Sequence, residues 1–284
     1  MLQTILDYNF IQNAIIAGIL ASIVCGMIGV IVVEKKLVMM SGGIAHTAYG
    51  GVGFGYLCGI EPILGAFFFS ILAAFGIGAI KRKGGGNSDV IIGLFWSMGM
   101  ALGIVFLALM PGYPPDMNSY LFGNILSVTR LDLKLMGILT ILVVAVIGIL
   151  YNNWKAYLFD EEFAKVIGIK TRLLENLLLV LIAMSVVVLI RVAGIIMVIA
   201  LLTAPAATAS FFTTQLKNRM ILSAVIGIIC CLSGLAISYQ LNIASGACIV
   251  LLAVIVYFLT FFFRKFAGKV KYGSRASKLT GADY

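Results

Sequence analysis

The sequence predicts an all-α polytopic membrane protein with about nine transmembrane helices. Of its 284 residues, 62% are hydrophobic and only 11% are charged, less than half the charge of an ordinary soluble domain. Apolar runs of about 20 residues recur along the chain, each matching a roughly 30 Å hydrocarbon core. These runs are continuous, whereas a transmembrane β-barrel requires alternation. Their recurrence and the absence of a basic segment in the N-terminal MLQTILDYNF argue against a cleaved signal peptide as their source.

The expected spans cover 13–33, 38–59, 62–80, 90–110, 132–151, 173–190, 192–212, 220–239 and 245–263. The first ends at Lys35 and Lys36, and the third at Lys81, Arg82 and Lys83. Lys155, Lys165, Lys170 and Arg172 follow the fifth, Lys217 and Arg219 follow the seventh, and six more cations lie in the tail 264–284. Thus 17 of the 20 Lys and Arg share one side, leaving Arg130, Lys134 and Arg191 on the other. The positive-inside rule then expects an external N-terminus and a cytoplasmic C-terminus. The same segregation explains the net charge of +9 without nucleic acid as a partner.

Spans six and seven are separated only by a very tight turn at Arg191, Val192, Ala193 and Gly194, where a broken helix is the alternative. Two connections are longer. The external 111–134 begins with three prolines, and the internal 152–172 carries Asp160, Glu161 and Glu162 before apolar Phe163, Val166 and Ile167. Both read as interfacial helices or as partner surfaces. The basic tail reads as a solvated end attracted to anionic lipid.

Chemistry inside the spans is sparse. Away from their ends they hold no Asp, Glu, Lys or Arg, which argues against a proton- or sodium-coupled carrier. No GxxxxGK[ST] loop is present, so ATP, if it drives the protein, is hydrolysed by another chain. HExxH, GxSxG and paired aspartates are equally missing, which leaves no reading as an enzyme and no catalytic residue. The five cysteines occur in apolar segments without CxxC spacing and read as packing residues.

His46 is the sole histidine. It lies ten residues past Lys36, about 15 Å along a helix and therefore near the bilayer midplane. On a helical projection Gly42, Gly43, Gly50 and Gly53 share its face, whereas Gly51, Gly55 and Gly59 form an opposite small-residue row suited to helix packing. Imidazole binds zinc and other first-row metals. The first glycine face is therefore expected to line an ion path, with interhelical hydrogen bonding as the simpler role for His46.

Five segments carry a family resemblance. They are SGGIAHTAYGGVGFGYLCGIEPILGA (41–66), SDVIIGLFWSMGMALGIVFL (88–107), NSYLFGNILSV (118–128), FDEEFAKVIGI (159–169) and GIIMVIALLTAPAATA (194–209). In order and spacing the chain resembles the permease subunits of ABC transporters that import zinc and manganese. The resemblance implies a single transmembrane permease domain over 1–284, similar in fold to the vitamin B12 and siderophore importer permeases, in a prokaryotic plasma membrane. It implies a homodimer, cytoplasmic ABC ATPase subunits and an extracytoplasmic metal-binding protein, with the divalent metal as cargo and no permanently bound cofactor.

The family's second helix carries an Asp-x-x-x-His pair. His46 matches the histidine, while Gly42 stands in the aspartate's place. Loss of that hard carboxylate favours zinc over manganese. Asp116 is a further metal-relay candidate in the external loop. The resemblance also implies ATPase coupling by the stretch after Pro205, with Thr213, Thr214, Gln215, Lys217, Asn218 and Arg219 as the docking surface. Pro205 is expected to break or kink its helix. The alternatives are an ABC permease for a larger chelate, such as a siderophore or cobalamin, and a metal carrier outside the ABC class.

Overall fold

The computed structural model describes residues 9–82, 88–112, 117–123 and 125–280, with backbone alone for Ser88, Asn118 and 266–280. Among these residues the regular structure is entirely helical. The chain runs α1 (Asn9–Glu34), α2 (Val38–Leu57), α3 (Pro62–Arg82) and α4 (Ser88–Ala108). The short α5 (Asn118–Phe122) and a 3-10 turn (Ile125–Ser127) follow. Then come α6 (Arg130–Ile149), α7 (Tyr151–Phe159), α8 (Glu161–Val166), α9 (Thr171–Ser210), α10 (Leu216–Leu241) and α11 (Ser245–Thr280).

Local chemistry sets several helix starts. Thr129 and Asp132 form a reciprocal capping box at the start of α6, satisfying two backbone donors that helix geometry leaves open. Asp160 accepts from the backbone N–H groups of Glu162 and Phe163 and so begins α8. Pro62 opens α3, where a missing N–H is harmless.

Seven described helices, not nine, are long and apolar enough to cross a bilayer. Two differences account for the change. First, α2 is helical throughout the expected region, but its glycines and polar residues lower its apolarity. Second, residues 171–210 form one hydrogen-bonded element with a single non-helical residue, Gly194 (φ 72°, ψ 158°).

A straight 40-residue helix would measure about 60 Å, twice the hydrocarbon thickness. Ion pairs explain how α9 is accommodated. Near its start Glu175 meets Lys81 and Arg82 at 3.7 and 3.5 Å. Just beyond its end Arg219 meets Glu34 at 2.5 Å. Those partners belong to the side of the bundle that carries Lys35 and Glu161, paired at 3.1 Å. Midway along α9, Arg191 reaches Glu61 at 3.5 Å and Asp132 at 3.9 Å on the opposite side. The two halves therefore run antiparallel and reverse at Gly194. There the backbone touches that of Phe122 and Gly123, and Gly246 lies against the Phe122 carbonyl.

Of the seven apolar spans α1 and α9 are the most buried, while α4 and α11 are peripheral. The internal connection folds as α7 and α8. Trp154 is fully buried, and the Lys35 ammonium sits 3.6 Å from the Tyr157 ring centroid, a cation–π contact. Burial pushes the Tyr157 hydroxyl upward, reinforced by Glu161 and Glu175. For Glu161, burial also pushes upward, but Lys165 and Lys35 outweigh it and hold the carboxyl below its ordinary range.

The Gly194 dihedrals belong to a region that is essentially restricted to glycine. Gly194→Ala should therefore cost about 1–3 kcal/mol or more, read as a lower thermal midpoint in detergent, whereas Gly137→Ala, with open space around it, should not. Because the folded Glu161 carboxyl is depressed, its contribution is present above the unfolded carboxylate value of about 4.3 and lost as pH falls through the folded value. Glu161→Gln should consequently remove part of the acid-induced rise in hydrogen exchange across α7 and α8.

Candidate functional site

α2 lies between α3 and α4 at distances that only glycine permits. On one side the Gly51 and Gly65 backbones face each other in direct contact, and a Cβ on Gly55 would lie 2.7 Å from the Pro62 Cα. Gly51 and Gly55 are thus the small-residue packing face expected from the sequence, whereas Gly59 lies past the helix end with open space around it. On the other side, a Cβ on Gly50 or Gly53 would lie 2.6 Å from the carbonyl oxygen of Gly99 or Gly103, respectively. Gly43 meets Ile92 and Gly42 meets the Trp96 ring, each at 2.9 Å from the would-be Cβ. Within this chain the four glycines expected to line an open path instead receive α4.

His46 is buried in that contact. Its ring stacks on Trp96, with centroids 3.9 Å apart and an interplanar angle of 14°. Its Nδ1 lies 3.3 Å from Met100 Sδ. One residue on, the Thr47 hydroxyl lies 2.8 Å from the Gly43 carbonyl and 3.2 Å from that of Phe95, tying α2 to α4 beside the imidazole. Trp96 and Met100, both half-buried, were not singled out by sequence reasoning. Their signal was the helical spacing WSMGM, which places both on one face of α4.

No group of three or more His, Cys, Asp or Glu able to hold a metal occurs among the described residues. Asp116 lies outside the described residues. At the opposite-side end of α2, the Tyr56 and Tyr120 hydroxyls are 3.1 Å apart. Burial pushes the Tyr120 hydroxyl upward, as does its bond to Tyr56, against a smaller opposing influence from Arg191.

The expected coupling stretch divides in two. Pro205 is buried inside α9, and helical dihedrals continue through it to Ser210, so of the expected break or kink the break is absent. The neighbouring Thr208 hydroxyl donates to the Ala204 carbonyl at 2.7 Å. Beyond Phe211 and Phe212, Thr213 is half-buried, whereas Thr214, Gln215, Lys217 and Asn218 are exposed. Arg219 departs from the docking expectation: it is buried and paired with Glu34, so it fastens α10 to α1. The exposed residues border a cavity of about 480 Å³ that also touches Tyr151, Lys155 and Phe159.

Comparison with known proteins places this geometry among relatives. A family model described as the ABC 3 transport family matches residues 7–264. A membrane protein of Synechocystis sp. is 42% identical over 92% of both chains. The manganese transport system membrane protein MntC of Listeria innocua is 34% identical over 92% of this chain and 93% of its own. Among solved structures, PsaBC from Streptococcus pneumoniae in complex with Fab matches with a TM-score of 0.83 and 32% identity, covering 92% of this chain and 94% of that one.

The α2–α4 contact is testable without any cargo. Gly50→Ala forces a methyl against the Gly99 backbone carbonyl, which cannot rotate away. Thermal unfolding should show a loss of about 1–3 kcal/mol.

Proposed function

This chain belongs to the ABC 3 transport family, and from that premise we propose how it carries its cargo. It is a multi-pass permease subunit of a metal-importing ABC transporter. The side holding Lys35, Lys81, Arg82, Lys155 and Lys165 is cytoplasmic, in keeping with the positive-inside rule. A separate cytoplasmic ATPase docks over the cavity bordered by Thr214, Gln215, Lys217 and Asn218, and hydrolyses the ATP. An extracytoplasmic binding protein delivers the ion to the opposite side, over the loop that contains α5.

The subunit works as a homodimer whose two α4 helices face each other. Supporting this, α4 is the least buried span, and Leu94, Met98, Ile104 and Val105 form an exposed apolar stripe along it. The ion path runs past His46, which meets the face of α4 opposite that stripe, where Trp96 and Met100 lie. Closure of α4 on α2 occludes that path, and ATP-driven movement of α10, passed to α1 through the Arg219–Glu34 pair, opens it. The cargo is a divalent first-row metal. Manganese is named for the Listeria relative, while the imidazole and the missing carboxylate at Gly42 support zinc.

The observation that carries this reading is His46: a lone imidazole buried on a glycine helix between two neighbours, with a thioether beside it. In liposomes containing the permease with its ATPase and binding protein, His46→Ala should reduce metal uptake by about 10–100-fold while the complex still assembles. Unchanged uptake would leave His46 as a packing residue.

A further inference from the structure

The place vacated by the family's aspartate is filled, and by a side chain that changes the donor chemistry around His46. A Cβ on residue 42 would stand 2.9 Å from Trp96 Cζ3, so this Trp96 placement and a side chain at residue 42 compete for one volume. The same indole lies flat on the imidazole, at 3.9 Å and 14°, and holds its plane. One helical turn further, Met100 brings Sδ to 3.3 Å from Nδ1. Where a carboxylate oxygen would serve, the chain offers a thioether.

Resting on the reading of His46 as a path residue, we propose that Met100 is a specificity-determining residue. It acts with His46 as a nitrogen–sulfur donor pair that favours borderline and soft ions over manganese. The geometry accommodates this. Bonds of roughly 2.1 Å to nitrogen and somewhat longer to thioether sulfur, closing on atoms 3.3 Å apart, meet at about a right angle, within reach of one ion. Thioether sulfur suits cuprous and zinc ions, imidazole suits zinc, copper and iron, and carboxylate oxygen suits manganese. A thioether is uncharged and binds weakly, as a transit contact must if the ion is to leave. Trp96 is a positioning residue here, because it fixes the imidazole plane and keeps residue 42 free of a competing side chain.

The test is competitive uptake of zinc and manganese by the complete transporter in liposomes. Wild type should prefer zinc. Met100→Leu, which keeps the volume and removes the sulfur, should lower the zinc-to-manganese ratio by about tenfold, the lower end of the effect of losing a metal-site contact. Met100→Cys should retain the preference, and Met100→Glu should move it toward manganese. An unchanged ratio in Met100→Leu overturns the proposal. If that variant does not assemble, equal ratios in Met100→Cys and Met100→Glu overturn it instead. Failure of wild type to move either ion would refute the permease reading itself, whereas metal uptake indifferent to Met100 would refute only this proposal.

Discussion

The structure depends on how closely three helix backbones approach around α2. Helices in a bilayer gain nothing from hiding apolar side chains from one another, so they associate through close packing and polar contacts. Here the carbonyls of Gly65, Gly99 and Gly103 press into places where any other residue on α2 would carry a Cβ. That approach puts His46 against the side chains of α4. It also explains why α2 is too poor in large apolar residues to qualify as a span by composition alone. The helix is held in place by contact on both sides instead of by its own hydrophobicity.

Around this contact, charge divides the molecule into two rims. Glu34, Lys35, Arg82, Glu161, Glu175 and Arg219 pair on one rim, while Glu61, Asp132 and Arg191 gather on the other. Most of these groups are partly exposed, so the individual pairs add little stability. Their value is positional: they set which helix ends share a side. Asp132 and Arg219 are the buried exceptions; for Arg219, losing Glu34 would strand a guanidinium that is nearly out of water. Through that pair the segment after α9 is joined to α1, and α1 packs beside the core halves of α9. A pull on the docking surface therefore reaches the centre of the bundle through connected, packed elements.

Much of this was legible in the sequence, and the failures have identifiable physical causes. The all-helical class followed from continuous apolar runs, and the two rims followed from the distribution of Lys and Arg. The packing row of Gly51 and Gly55 could be read because helical periodicity alone defines a face. What periodicity cannot define is which neighbour covers it, so Gly42, Gly43, Gly50 and Gly53 looked open until α4 was seen against them. Trp96 and Met100 were missed for the same reason, being two apolar residues among many on α4. At Gly194 the sequence suggested a turn or a broken helix, and one glycine-only conformation reverses the chain. Arg219 was misjudged because local chemistry implied an exposed cation, whereas tertiary packing buries it.

The central claim is that metal passes His46 in contact with imidazole nitrogen and Met100 sulfur. X-ray absorption at the zinc edge, on the complete transporter loaded with zinc and held before ATP hydrolysis, addresses it most directly. The account predicts imidazole scattering with a thioether sulfur neighbour, both lost when His46 is replaced by alanine. A shell of oxygen alone, identical in wild type and the alanine variant, would contradict it.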